Sequence, residues 1–166
     1  MQQMAGSPPS LDQTDRRILA ALQSDARMSY QDLGSTVGLS APAAYQRVKK
    51  LEDEGILQGY HARVDPAAVG RGVTAFLRAR PGPGTDVVAL IERWRLQADV
   101  LECHRLAADG CYLIKLSLRA SADMEGYLDA ARRAGCDATI DLVTSTAFER
   151  WTRPLAEPVD GAVSRR

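Results

Sequence analysis

Residues 29–54, SYQDLGSTVGLSAPAAYQRVKKLEDE, decide how the rest of this 166-residue chain is read. Ser29 followed three positions later by Asp32 is a helix start signal, the side chains standing where they can satisfy free backbone N–H groups. Tyr30, Leu33 and Val37 then fall at i, i+3 and i+7, which makes one apolar stripe. Gly38 can take the left-handed conformation that ends a helix, and Ser40 caps the next one. Pro42 falls in the first turn of that second helix, where a missing N–H costs nothing. Two helices joined by a tight Gly-Leu-Ser corner form the layout that lays a second, recognition helix in the major groove of DNA.

On a helical wheel the second helix divides cleanly. Ala44, Val48 and Leu51 share a narrow arc and face a core, while Pro42, Tyr45, Gln46 and Lys49 cluster on the opposite side. The outward residues include an aromatic ring, an amide and an ammonium, groups suited to base edges and phosphates. The plainer alternative is the solvated face of an ordinary helical hairpin.

Upstream, Asp12 caps a helix expected over Gln13–Gln23, with Asp15 completing the box and Ile18, Leu19 and Leu22 forming its buried stripe. Residues 1–10 are polar, contain two prolines, and read as a disordered arm. Downstream, Gly55 ends the third helix. The stretch ILQGYHARVD then reads as two short strands around Gly59, with Tyr60, Ala62 and Val64 alternating. Such a hairpin is the wing of a winged helix-turn-helix domain spanning residues 11–64, and His61 and Arg63 on it are placed to approach a phosphate. Asp65-Pro66 through Gly72 reads as a linker, residues 65–72.

The remainder changes character. VTAFLRARP alternates from Val73 and reads as a strand with Val73, Ala75, Leu77 and Ala79 on one face; Pro81-Gly82-Pro83-Gly84 breaks it. Thr85 is expected to cap a helix reaching Gln97, carrying Val88, Ile91 and Leu96 inward. VLECHRLA and CYLIKLSL are two strands separated by Ala108-Asp109-Gly110, a hairpin signal. Ser121 opens a helix through Arg133 with Met124, Leu128 and Ala131 at helical spacing. After Gly135, ATIDLVTSTAF is the last strand. The order βαββαβ predicts an α+β fold: a winged helix-turn-helix followed by a ferredoxin-like domain over residues 73–153, with a flexible tail at 154–166. Its sheet has helices on one face only. The other face, with Leu113 and Phe76, calls for a partner, and a second copy is the economical one.

Composition narrows the function classes. Net charge is zero, and residues 1–70 carry 7 Lys/Arg against 8 Asp/Glu, so basicity is local to Arg47, Lys49 and Lys50. A helix this weakly basic calls for several copies acting together. Three cysteines at irregular spacing describe no disulfide framework. The N-terminus lacks a signal-peptide core and no apolar run reaches membrane-spanning length, so a soluble cytoplasmic protein without membrane partners is expected. Cys103 and His104, adjacent on a strand, point to opposite faces and do not share a metal ion. Packed thiols and a surface imidazole are the plain expectation; Cys103 and Cys111, as cross-strand neighbours on one sheet face, are the alternative, a redox pair. No cofactor is expected. Catalysis is disfavoured, because His61 and His104 sit in different domains and no phosphate loop or nucleophile elbow appears.

The segments LDQTDRRILAALQSDARMSYQDLGSTVGLS, QRVKKLEDEGILQGYHARVDPAAVG and VLECHRLAADGCYLIKLSL together resemble the Lrp/AsnC family of transcription regulators. The specific matches are Leu11-Asp12, Asp15-Arg16-Arg17-Ile18-Leu19, and the run from Arg47-Val48 through Leu51-Glu52 to Gly55-Ile56. The resemblance implies a homodimer built through sheet faces and extended up to octamers. It also implies binding to pseudo-palindromic double-stranded DNA and small-molecule effectors, usually amino acids. Carried over by position, it assigns DNA contacts to Ser40, Pro42, Tyr45, Gln46, Arg47 and Lys49. Arg47 borders the buried stripe and stays open between a DNA contact and an ion pair inside the domain. The effector loop that the family writes Thr-Gly-x-Tyr-Asp-Tyr reads Ala107-Ala108-Asp109-Gly110-Cys111-Tyr112 here. An effector site at Ala108, Asp109, Gly110 and Cys111 is therefore expected to take an altered ligand or none. The alternative role is an assembly partner of related regulators with no effector response of its own.

Overall fold

The computed structural model describes residues 10–107 and 109–149, so the expected arm before residue 10, the tail at 154–166 and Ala108 lie outside the described residues. The chain divides into two compact units, one running up to Ala62 and the other Arg63–Glu149.

The first unit holds three helices, α1 (Gln13–Ser24), α2 (Tyr30–Val37) and α3 (Ala41–Asp53). Each start is fixed by its own side chain. Asp12 accepts from the Asp15 N–H at 2.7 Å while Asp15 accepts from the Asp12 N–H at 3.3 Å, a reciprocal capping box. Ser29 accepts from the Asp32 N–H, but its hydroxyl donates to the Asp32 carboxylate at 2.6 Å, so this box closes through side chains. Gly38 ends α2 at φ 79°, a left-handed conformation, and Ser40 caps α3. Ile18, Leu33, Ala44 and Val48 are wholly buried and Leu51 nearly so, forming the core with Leu19, Leu22 and Val37. Burial of each large aliphatic side chain stabilises by about 1.5–3 kcal/mol. Tyr30 departs from the expected stripe. It opens α2 and stays 41% exposed.

No wing forms. Residues 58–65 carry no strand, and Tyr60, Ala62 and Val64 are all exposed, so the alternation has no apolar face to meet. A lone two-stranded hairpin is marginal in water without such a face. Tyr60 instead donates its hydroxyl to Glu52 at 2.9 Å, at the end of α3; burial, then the Glu52 carboxylate, pushes that phenol well above its ordinary range.

The second unit is β1 (Val73–Pro81), α4 (Val87–Arg95), β2 (Val100–Arg105), β3 (Tyr112–Leu118), α5 (Asp123–Arg133) and β4 (Cys136–Leu142). The sheet is antiparallel throughout in the order β2-β3-β1-β4, the ferredoxin-like arrangement. Ala75, Leu77 and Ala79 of β1 join Tyr112, Ile114, Leu116 and Leu118 of β3 in a core with Leu90, Trp94 and Ala131. Segment 65–72 is part of this unit: Arg71 pairs with Asp99 and donates to the Ser117 carbonyl, and Ser117 donates back to the Arg71 carbonyl.

Two helices differ from expectation. Asp86, not Thr85, caps α4, accepting from the Ala89 N–H. Val87, Leu90, Ile91 and Trp94 therefore form its inward stripe, leaving Val88 80% and Leu96 76% exposed. For α5, Ala122 occupies the cap position without a side-chain bond, and Ser121 does not cap it. The last strand stops at Leu142 rather than running on to Phe148. On the sheet's other face Phe76 and Leu113 are half-buried among exposed Arg78, Arg80, Asp137 and Asp141, so that face is mixed in charge rather than plainly apolar.

Candidate nucleic-acid interface

The α2–α3 corner is tight because Gly34 carries no side chain. A Cβ there would lie 2.6 Å from the Leu39 carbonyl oxygen, which is backbone and cannot give way cheaply. Across the bundle, Arg17 of α1 donates to the Thr36 carbonyl at 2.9 Å, fixing the end of α2. Third, Arg47 of α3 reaches the α1 capping box: one guanidinium nitrogen lies 2.5 Å from Asp12 and 2.8 Å from Asp15, whose side chain is only 6% exposed. The Asp15 N–H and then Arg47 hold the Asp12 carboxyl below its ordinary value, and Asp12 followed by Asp15 raises that of Arg47. Arg47 thus makes an ion pair inside the unit, one of the two roles left open for it.

These three ties orient α3 with Ala44, Val48 and Leu51 inward and Pro42, Tyr45, Gln46 and Lys49 outward and exposed. Ser40 is exposed at its start. Tyr45 leans edge-on against Tyr30, ring centroids 5.2 Å apart, so its ring is braced. Among the described residues Lys49 has only a loose i,i+4 partner, Asp53 at 3.8 Å, with both groups more than half exposed. A pair of that kind contributes little and gives way to a phosphate. With Arg47 neutralised by two acids, Lys49 and Lys50 are the cations α3 itself offers, and Lys50 faces Glu54 at 3.8 Å.

Of the residues expected to line the effector loop, Asp109 is already engaged. One carboxylate oxygen takes the Arg80 guanidinium at 2.8 Å, and the other accepts from the Cys111 N–H at 3.1 Å. Arg80 and then that N–H hold its carboxyl below the ordinary value. Gly110 turns the chain at φ 67°. Cys111 is 1% exposed, with its thiol toward the Tyr112 carbonyl. The alternative of a redox pair is not assembled: Cys103 of β2 lies opposite Ile114 and is exposed, whereas Cys111 precedes β3 and is buried. The β2–β3 register sets this, and it is not visible from spacing. Of the two wing residues placed near a phosphate, Arg63 instead sits 3.6 Å from Glu149, and His61 is exposed. Sequence reasoning missed Gly34 and Arg17; a glycine inside an otherwise apolar helix pattern was the available signal for the first.

A trihelical unit with a Gly-hinged corner and an outward polar row on its third helix, followed by a ferredoxin-like sheet, defines the class of helix-turn-helix regulators. A model of the AsnC-type helix-turn-helix domain matches residues 11–52. The chain is 32% identical over 137 residues to the HTH-type transcriptional regulator YezC of Bacillus subtilis (strain 168), spanning 82% of this chain and 96% of that one. It is 31% identical over 158 residues to the DNA-binding transcriptional activator DecR of Escherichia coli (strain K12), spanning 90% and 99%. Among solved structures, the transcriptional regulator NMB0573 of Neisseria meningitidis, solved as a complex with L-Met, superposes with a TM-score of 0.80 at 28% identity, covering 87% of this chain and 97% of that one. The chain belongs to the Lrp/AsnC family of DNA-binding transcriptional regulators and is not an enzyme. No described helix is long and apolar enough to cross a membrane.

Proposed function

We propose that this protein is a cytoplasmic, sequence-specific regulator that reads double-stranded DNA as a homodimer or a larger homo-oligomer such as an octamer. Ser40, Pro42, Tyr45, Gln46 and Lys49 make the contacts, and Arg47 holds α3 in place. The observation that carries this reading is the division of α3 into a tied inner side and an outer row whose one cation has, among the described residues, only a loose surface partner. Gln46 offers paired donor and acceptor groups suited to an adenine edge, and Lys49 neutralises a phosphate. So few free cations on one helix favour paired binding, in which a second copy supplies the missing affinity. The sheet face bearing Phe76 and Leu113 suits that pairing, since Arg78 and Arg80 stand in the same face as Asp137 and Asp141 and can meet their opposites across a twofold axis.

The effector reading follows from the loop. With Asp109 bound to Arg80 and Cys111 buried, Asp109, Gly110 and Cys111 offer an incoming ammonium no unengaged carboxylate. The loop therefore answers to no standard amino acid. Mobility shift on the protein's own upstream DNA tests the main reading. A sequence-dependent shift that weakens steeply with salt is expected, and no shift at low salt, or one indifferent to sequence, overturns it. Melting against the twenty amino acids tests the loop: no stabilisation is expected, and a clear shift with one refutes it.

A further inference from the structure

We propose that Tyr30 is a positioning residue for DNA readout: it holds the Tyr45 ring so that this ring, with Pro42, meets the C5-methyl group of one thymine in the major groove. This rests on the reading of α3 as the helix that enters the groove, and adds to it a base and a residue outside α3. Tyr30 opens α2 and Tyr45 belongs to α3, yet their rings lie edge to face, centroids 5.2 Å apart and planes at 88°. Neither ring is part of the core: Tyr30 is 41% and Tyr45 43% exposed. The core between these helices closes on Leu33 and Val37 from α2 and on Ala44, Val48 and Leu51 from α3. The aromatic pair is thus an addition at the edge of the outward row.

An exposed tyrosine left to itself swings between rotamers, and fixing it on binding costs affinity. Tyr30 removes that cost in advance. Its own backbone is set by the Ser29 cap, which accepts from the Asp32 N–H, and by the tight corner at Gly34, one turn further along α2. On α3, Pro42 and Lys49 lie one turn before and after Tyr45, and Gln46 lies beside it, all of them exposed. Among these side chains the Tyr45 ring and the Pro42 methylenes are the apolar groups. The apolar group that base edges present in the major groove is the thymine methyl. Adenine suits the Gln46 amide, and the thymine methyl suits the ring next to it. With Arg47 tied to Asp12 and Asp15, uncharged contacts of this kind carry more of the selectivity.

The test replaces each thymine of the bound site by deoxyuridine, one at a time, and reads affinity by mobility shift with the full chain. Each replacement removes one methyl group and leaves the hydrogen-bonding edge intact. In the parent, one of them should weaken binding about fourfold, the worth of one buried methyl. In Tyr45→Ala the same replacement should make no difference, and in Tyr30→Ala less than about a twofold one. Tyr30→Phe and Tyr45→Phe keep both rings and should retain the full effect. A Tyr30 that served only the fold would weaken thymine and deoxyuridine DNA alike. Parent binding indifferent to every deoxyuridine, a full deoxyuridine effect in Tyr30→Ala, or loss of that effect in Tyr30→Phe overturns the proposal while leaving α3 as the recognition helix. Absence of any sequence-dependent shift in the parent overturns that underlying reading and this one with it.

Discussion

In the helical unit, Asp12 and Asp15 draw Arg47 inward and leave the far side of α3 without a strong internal partner. In the sheet unit, Asp109 takes Arg80 and closes the β2–β3 loop on itself. Both regions pair an acid with an arginine, yet the pairings have opposite consequences. The first braces a scaffold from behind, so its outer row, Pro42, Tyr45, Gln46 and Lys49, is oriented and exposed. The second uses up the polar group that a ligand at the loop would need. A charged residue in a promising position is thus informative only once its partner is known.

Breaking the brace should have the largest effect. Arg47→Met leaves Asp15, with its side chain 6% exposed, facing no cation. Losing one member of a buried pair costs about 3–5 kcal/mol, reduced to about 2 kcal/mol here because Arg47 itself is partly exposed. Urea unfolding followed by circular dichroism should show that loss, with DNA binding restored wherever the protein stays folded. Unchanged stability with lost binding would return Arg47 to the interface.

Next comes the outer row. Gln46→Ala should leave stability unchanged and remove about 1–3 kcal/mol of discrimination at one base position, read by mobility shift across a set of altered sites. A uniform loss across all sites would assign Gln46 to the backbone instead. Lys49→Ala should weaken binding evenly and flatten the dependence of log affinity on log salt by about one unit. An unchanged slope would mean that Lys49 stays with Asp53.

The smallest effect is one of pH. Asp12 ionises more readily folded than unfolded, so its contribution is fully present above the ordinary carboxylate value of 3.8 and is lost as pH falls through the lower folded value. Acid unfolding of the parent should therefore steepen below about pH 4, and Asp12→Asn should remove part of that steepness while Asp109→Asn, in the other unit, leaves the helical signal unaffected.

Legibility followed the range of the interactions. The caps at Asp12, Ser29 and Ser40 were readable because a cap is settled within four residues, and the buried faces of α3 and β1 because periodicity is local. In α4 the stripe of Val87, Leu90, Ile91 and Trp94 was present in the sequence. Starting the helix at Thr85 led instead to Val88 and Leu96, and the cap at Asp86 selected the other stripe. The wing failed for a different reason: alternation at Tyr60, Ala62 and Val64 specifies a strand only where a core meets one face.

The sequence by itself determined the three-helix order, the Gly38 corner, the outward row of α3 and the βαββαβ succession, because each rests on contacts between near neighbours along the chain. Tertiary structure alone decided that Arg47, 35 residues from Asp12, is a brace, that Cys103 and Cys111 are apart, and that Asp109 is bound by Arg80. Those outcomes depend on which distant groups folding brings within about 3 Å, and no local pattern carries that information.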